Sequence, residues 1–235
     1  MSDENPGGNI NENPAETGNG TPEINTNFSG YTNASGNANV SVQKLEIAET
    51  LREGFDLSIK NIGPVLVNIL LWVLTIWIPY LNVGTTIGLF SGIVIKLSRE
   101  ETISFTEIFD PKYRKYMGEY FLTAGLMFLG VFIGFLFFII PGAIISIAWC
   151  FALILVIDKE INPTEALSMS NKITYGYKGR IFLIELIVSV IFSVISAVLN
   201  KIDNGFAVFL LILLVIFQLI VTLGIQASMY KQLME

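Results

Sequence analysis

Histidine is absent from the 235-residue chain, and cysteine occurs once, as Cys150 inside an apolar run. These absences exclude a disulfide framework, a Cys/His zinc site and histidine-based acid or base catalysis, so no cofactor or metal is expected. Charge is scarce at 14%, against 52% apolar residues and a mean hydropathy of +0.62. Basic residues are missing before Lys44, a stretch that holds five of the 20 acids. The net charge of −6 fits no nucleic-acid partner, but its placement says more than its sum. The opening MSDENPGGNINENP lacks the basic and apolar regions of a cleaved signal peptide, so the first span is expected to direct targeting.

What is present falls into a polar and an apolar part. Residues 1–41 are rich in Asn, Gly, Thr, Pro, Ser and Glu, with too few apolar groups to offset the entropy of ordering, and read as a disordered tail. The Asn-x-Ser/Thr matches at Asn19, Asn27, Asn33 and Asn39 follow from that composition. In 42–61, Leu45, Ala48, Leu51, Phe55 and Ile59 recur at three- and four-residue steps, which predicts one amphipathic cytoplasmic helix. It is either a packing lead-in to the first span or a helix lying on the membrane face.

Five apolar blocks follow, at 62–80, 83–95, 120–157, 181–199 and 206–229. A span takes about 20 residues, so the third block holds two, with Pro141-Gly142 as the turn between them. The expected fold is all-α: a polytopic membrane protein of six transmembrane helices in 62–230, with a short tail at 231–235. The spans lie near 62–80, 80–97, 120–140, 142–157, 181–199 and 206–229. Of the 14 Lys and Arg residues, all but Lys201 fall on one side of this arrangement. Positive charge is retained in the cytoplasm, so both termini are expected there, in a bacterial inner membrane.

The far-side turns at Pro79, Pro141 and Asp203 recur every 62 residues, which makes the six helices three copies of a hairpin. The cytoplasmic segments 103–107 and 161–165 also match, each ending in Thr-Glu. In each, Ser104 or Asn162 is expected to cap a short interfacial helix. Glu107 or Glu165 reaches back to the cap, and Pro163 takes the first helical position. The basic and aromatic residues that follow, among them Lys112, Arg114, Tyr116, Lys178 and Arg180, suit the headgroup layer.

Few residues point to chemistry. Gly84, Gly88 and Gly92, and Gly130 with Gly134, have the small-residue spacing that lets membrane helices pack closely, within the monomer or in a homo-oligomer. Glu185 is the one acid clearly inside an expected span, a candidate for proton or substrate coupling, or else a group neutralised by Lys178 or Arg180 or simply protonated. Asn68, Ser91, Ser189 and Gln218 sit near midplanes and serve equally as interhelical hydrogen-bond formers. No nucleophile-base pair or phosphate loop is present, and no enzyme is expected.

The run Ile140-Pro141-Gly142, Trp149, Asp158, Asn162-Pro163-Thr164-Glu165-Ala166, Ser168, Ser170, Gly176, Lys178-Gly179 and Phe182 resembles a six-span group of bacterial membrane proteins of unknown function. That group includes the membrane domain of glycerophosphodiester phosphodiesterases. The resemblance covers roughly 45–230 and implies the architecture but no catalytic residues, because the phosphodiesterase chemistry belongs to a separate soluble domain. The expected role is a non-enzymatic accessory, scaffold or lipid-interacting factor, whose partners are membrane lipids or a protein at the cytoplasmic face. The alternative is a small-solute or lipid transporter or channel built on the hairpin repeat.

Overall fold

The computed structural model describes residues 45–201 and 205–235. The tail 1–41, the first residues of the amphipathic helix and the turn at Asp203 lie outside them. Among the described residues there are no strands. The helices are α1 (Ile47–Lys60), α2 (Ile62–Thr75), α3 (Pro79–Ile87), α4 (Ile93–Ser98), α5 (Lys112–Lys115), α6 (Met117–Phe137), α7 (Ile139–Ala148), α8 (Ala152–Lys159), α9 (Pro163–Ile173), α10 (Lys178–Leu199) and α11 (Gly205–Met234). A π-helical turn, Gly88–Gly92, joins α3 to α4.

The protein is an all-α, polytopic membrane protein. Among the described residues five helices are long and apolar enough to cross a bilayer: Pro79–Ser98, Met117–Phe137, Ile139–Lys159, Lys178–Leu199 and Gly205–Met234. Six are reached when α1 and α2, bent by 75°, count as one. The bend has a local cause. Asn61 leaves the helical region at φ −109°, ψ 16°, and Pro64 has no amide to offer the Lys60 carbonyl.

Two expected boundaries move. The first span does not run to residue 80: α2 stops at Thr75, so it is about 21 Å long. The third span turns at Phe138, extended at φ −163°, ψ 155°, three residues before Pro141-Gly142. Pro141 instead occupies the first turn of α7, where a missing amide costs nothing. Gly142 brings α7 onto α6, since a Cβ added at Gly134 would lie 2.9 Å from the Gly142 Cα.

The apolar surface is a band over α6, α7, α10 and the first half of α11, where Phe121, Leu129, Phe182, Val194, Phe209 and Leu213 are exposed. Lipid is the solvent that stabilises such a surface. The second half of α11 is different, being buried from Ile220 to Tyr230 against α1. There the Ser58 hydroxyl donates to Gly54 O at 2.7 Å and to Ile220 O at 3.1 Å. Ser228 Oγ donates to Glu53 at 2.6 Å, and Lys231 Nζ to Glu53 at 2.9 Å. This corrects the amphipathic face in part, since Leu45 is buried and Leu51 packs against the core as expected. α1 buries Thr50, Gly54, Leu57 and Ser58 and leaves Ala48, Phe55 and Ile59 outward, because small residues allow the closest approach to Gly224.

Candidate functional site

Between α4 and α6 the chain makes a loop held by one buried carboxylate. Lys96 Nζ lies 2.7 Å from Glu107 Oε2, and the Tyr113 hydroxyl donates to Glu107 Oε1 at 2.8 Å. Lys112 stands 3.7 Å from Glu107 and 3.5 Å from Asp110. Burial pushes the Glu107 carboxyl up, but the Lys96 and Tyr113 hydrogen bonds outweigh it and hold the group below its ordinary value of 4.5. Burial and the same carboxylate push the Tyr113 phenol well up, so it stays a donor.

A second ion cluster closes α4 on α8 and α11. Arg99 pairs with Asp158, which also accepts from the Tyr230 hydroxyl at 2.8 Å and lies 3.4 Å from Lys159. At a third, Lys231 bridges Glu53 and Glu100, the latter at 2.8 Å. Between the first two clusters opens a cleft of about 220 Å³, lined by Lys96, Arg99, Lys112, Tyr113, Tyr116 and Asp158 among others. Its half-exposed Lys112 has two long ion pairings and lies over the Tyr113 ring at 4.8 Å, partners loose enough to let it turn toward an anion.

The two matching loops behave differently. Asn162 caps α9 as expected, its Oδ1 accepting from Glu165 N at 2.9 Å, with Pro163 at the first helical position. Glu165 returns only to the Asn162 side chain, at 3.3 Å. At Ser104 the expected cap does not form. Glu107 starts a 3-10 turn, Glu107–Phe109, and its carboxylate turns inward to Lys96 and Tyr113, stronger partners than an amide.

The glycine stripes meet different neighbours. Gly134 packs on Gly142, and Gly130 on the Trp149 ring, so both serve the α6–α7 contact. Gly84, Gly88 and Gly92 do not face another membrane helix. They receive Arg114, the Ile108 backbone and the Tyr113 ring from the 99–116 loop. Asn68 is committed to the same loop: Nδ2 donates to Pro64 O at 2.9 Å and to Ser104 O at 2.8 Å, and Oδ1 accepts from Ile108 N at 3.1 Å. Gln218 and Glu185 are half-buried on α11 and α10. Glu185 lies on α10, which packs against α7, and Cys150 lies in the break between α7 and α8.

That break is closed from α9. Ser170 Oγ donates to Ala148 O at 2.8 Å and accepts from Phe151 N at 3.3 Å, which supplies the backbone groups an unwound stretch leaves free. Ser170 is therefore internal, not headgroup-facing, whereas Asp158 lines the cleft with its carboxylate taken up by Arg99 and Tyr230. Lys178 Nζ donates to Asn171 Oδ1 at 2.8 Å, while Arg180 donates to Leu45 O at 3.2 Å and lies over the Tyr177 ring.

Sequence reasoning missed Glu53, Gly54, Gly224 and Tyr230. Only Gly54 and Gly224 had a signal, since Gly54-x-x-x-Ser58 and Gly224-x-x-x-Ser228 repeat the small-residue spacing. Among the described residues no cluster of three or more His, Cys, Asp or Glu could hold a metal. No family model, curated protein or solved structure matches the chain.

Proposed function

We propose that this is a non-enzymatic protein of a bacterial inner membrane, with both termini cytoplasmic, that acts as an accessory, scaffold or lipid-interacting factor. The cleft at Lys96, Arg99 and Lys112 carries this reading. It stands at the head of α6, next to Tyr116 and the half-buried start of the apolar band, which is headgroup depth. An anionic lipid phosphate finds Lys112 there, and Lys115, whose Nζ is 2.7 Å from the Tyr116 hydroxyl. The motif order from Pro141-Gly142 to Phe182 supports kinship with the phosphodiesterase membrane domain.

Retention of anionic lipid by protein purified in mild detergent, read by native mass spectrometry, tests the reading. The paired Lys112→Gln and Lys115→Gln change is expected to abolish any preference for phosphatidylglycerol over phosphatidylcholine. Equal retention of both lipids by the unaltered protein would count against it.

The α7–α8 break beside Glu185 favours a second reading, a transporter, because discontinuous helices commonly build substrate sites. Cysteines at Glu185 and Gln218 that react with water-soluble maleimide would support it. Sealing of both sites from both sides would remove it.

A further inference from the structure

We infer that the α2–α3 hairpin turns round inside the bilayer, dipping its tip into the acyl chains of the leaflet on the basic side without reaching the far surface. By length and hydropathy alone Pro79–Ser98 qualifies as a span. What packs around it places it differently.

Depth is read from α6. Its exposed apolar surface begins at Phe121, just after Glu119, and continues to Phe137, so the helix supplies a ruler across the apolar band. Tyr120, at the start of that ruler, shares one buried cluster with Ile87 and Tyr113. From Ile87 to Pro79 is eight residues, about 12 Å of helix, whereas Tyr120 to Phe137 is about 26 Å. A hairpin running parallel to α6 therefore ends near the middle of the band. Tilt shortens its reach further.

The loop agrees. Arg114 lies against Gly84, only five residues from Pro79, or about 7.5 Å. Were Pro79 at the far surface, a residue of the basic loop would be carried almost through the membrane. The Ser104 to Ile108 backbone would go with it, since it is bonded to Asn68 halfway along α2. α2 itself is 14 residues long and bent by 75° from α1, which packs along α11. At about 21 Å it is too short to cross a core of about 30 Å.

The tip is suited to lipid. No charged residue occurs between Lys60 and Lys96, and Trp77 is 90% exposed, with Ile76, Ile78 and Tyr80 exposed beside it. The polar groups of the neck satisfy one another, as backbone and side chains must where water is excluded. Trp72 Nε1 donates to Thr86 Oγ1 at 2.9 Å, and the Thr75 and Thr85 hydroxyls are 2.8 Å apart. The occupant of this apolar surface is the acyl-chain layer, because α3 packs on α6 and its surface joins the apolar band there. The basic residues keep their single side, since a hairpin that enters and leaves by one face does not alter the parity of the crossings.

The test uses the full chain with Cys150→Ser and one new cysteine at a time, in sealed membrane vesicles of both orientations. An impermeant maleimide should label Lys201→Cys from one side and Glu160→Cys from the other. Trp77→Cys should be labelled from neither until the membrane is dissolved. A second readout keeps the native tip. With Trp72→Phe and Trp149→Phe, the fluorescence of Trp77 should be quenched more by lipids brominated midway down the chain than by those brominated near the headgroup. Labelling of position 77 from the same side as position 201, or strongest quenching by the shallow bromines, would overturn the inference.

Discussion

Replacing Gly54 with alanine tests the close backbone approach of α1 to α11. An added Cβ would lie 2.6 Å from the Ile225 Cα, 2.8 Å from its Cγ1 and 2.9 Å from its amide nitrogen. Carbon atoms rest at about 3.5–4.0 Å, so α1 and α11 must separate by about 1 Å, and a backbone atom cannot swing aside. Overpacking of this kind costs about 1–3 kcal/mol. Separation also stretches the Ser58 bond to Ile220 O, worth about 1 kcal/mol. Helix propensity works the other way, returning about 1 kcal/mol for alanine over glycine. The expected net loss is about 1–3 kcal/mol, or about 2–12 °C in Tm for a chain of this size. Thermal unfolding in detergent, followed by size-exclusion of the survivors, reads it. Gly125→Ala in α6 is the control, because an added Cβ there meets nothing within 4 Å, and its Tm should hold or rise slightly. G54A melting at or above the unaltered protein would refute the close-packing account.

Three further outcomes follow from the ion clusters and the helix break. Glu107→Ala should cost about 1–3 kcal/mol, because it leaves the half-buried Lys96 and the buried Tyr113 hydroxyl without their partner, with Glu107→Gln milder; Tm in detergent checks both. With its carboxyl held below 4.5, Glu107 contributes stability above the unfolded-state value and loses it as pH falls through the folded value. The acid limb of Tm against pH should therefore lie below pH 4.5 and flatten in E107Q. Ser170→Ala should cost about 1–3 kcal/mol and speed amide exchange at Phe151, measured by hydrogen exchange.

The apolar blocks and the one-sided basic residues made the helical membrane architecture legible, because hydropathy and span length are local properties of the chain. Asn162-Pro163 was legible for the same reason, a cap being decided within four residues. The same pattern at Ser104 misled, since Glu107 had a choice of partners and Lys96 and Tyr113 reach it only through the fold. The turn at Phe138 was displaced from Pro141-Gly142 because proline is tolerated in a first helical turn, so the residue pair marks the neighbourhood of a break and not its place. The α1 contact was misjudged by ranking apolar side chains above small ones. Where helices pack through Gly54 and Gly224, the buried face is the one with least to bury.

The pairing of α1 with the end of α11 also has a schedule. Ser58 and its acceptor Ile220 are separated by 162 residues. At translation rates of about 5–20 residues per second, α1 waits about 8–30 s before the segment that covers Gly54 has been made. During that interval its Thr50, Gly54 and Ser58 face stands open at the membrane surface, ready for any other small-residue helix. A chain stalled before Ile220 keeps that face open for as long as the stall lasts.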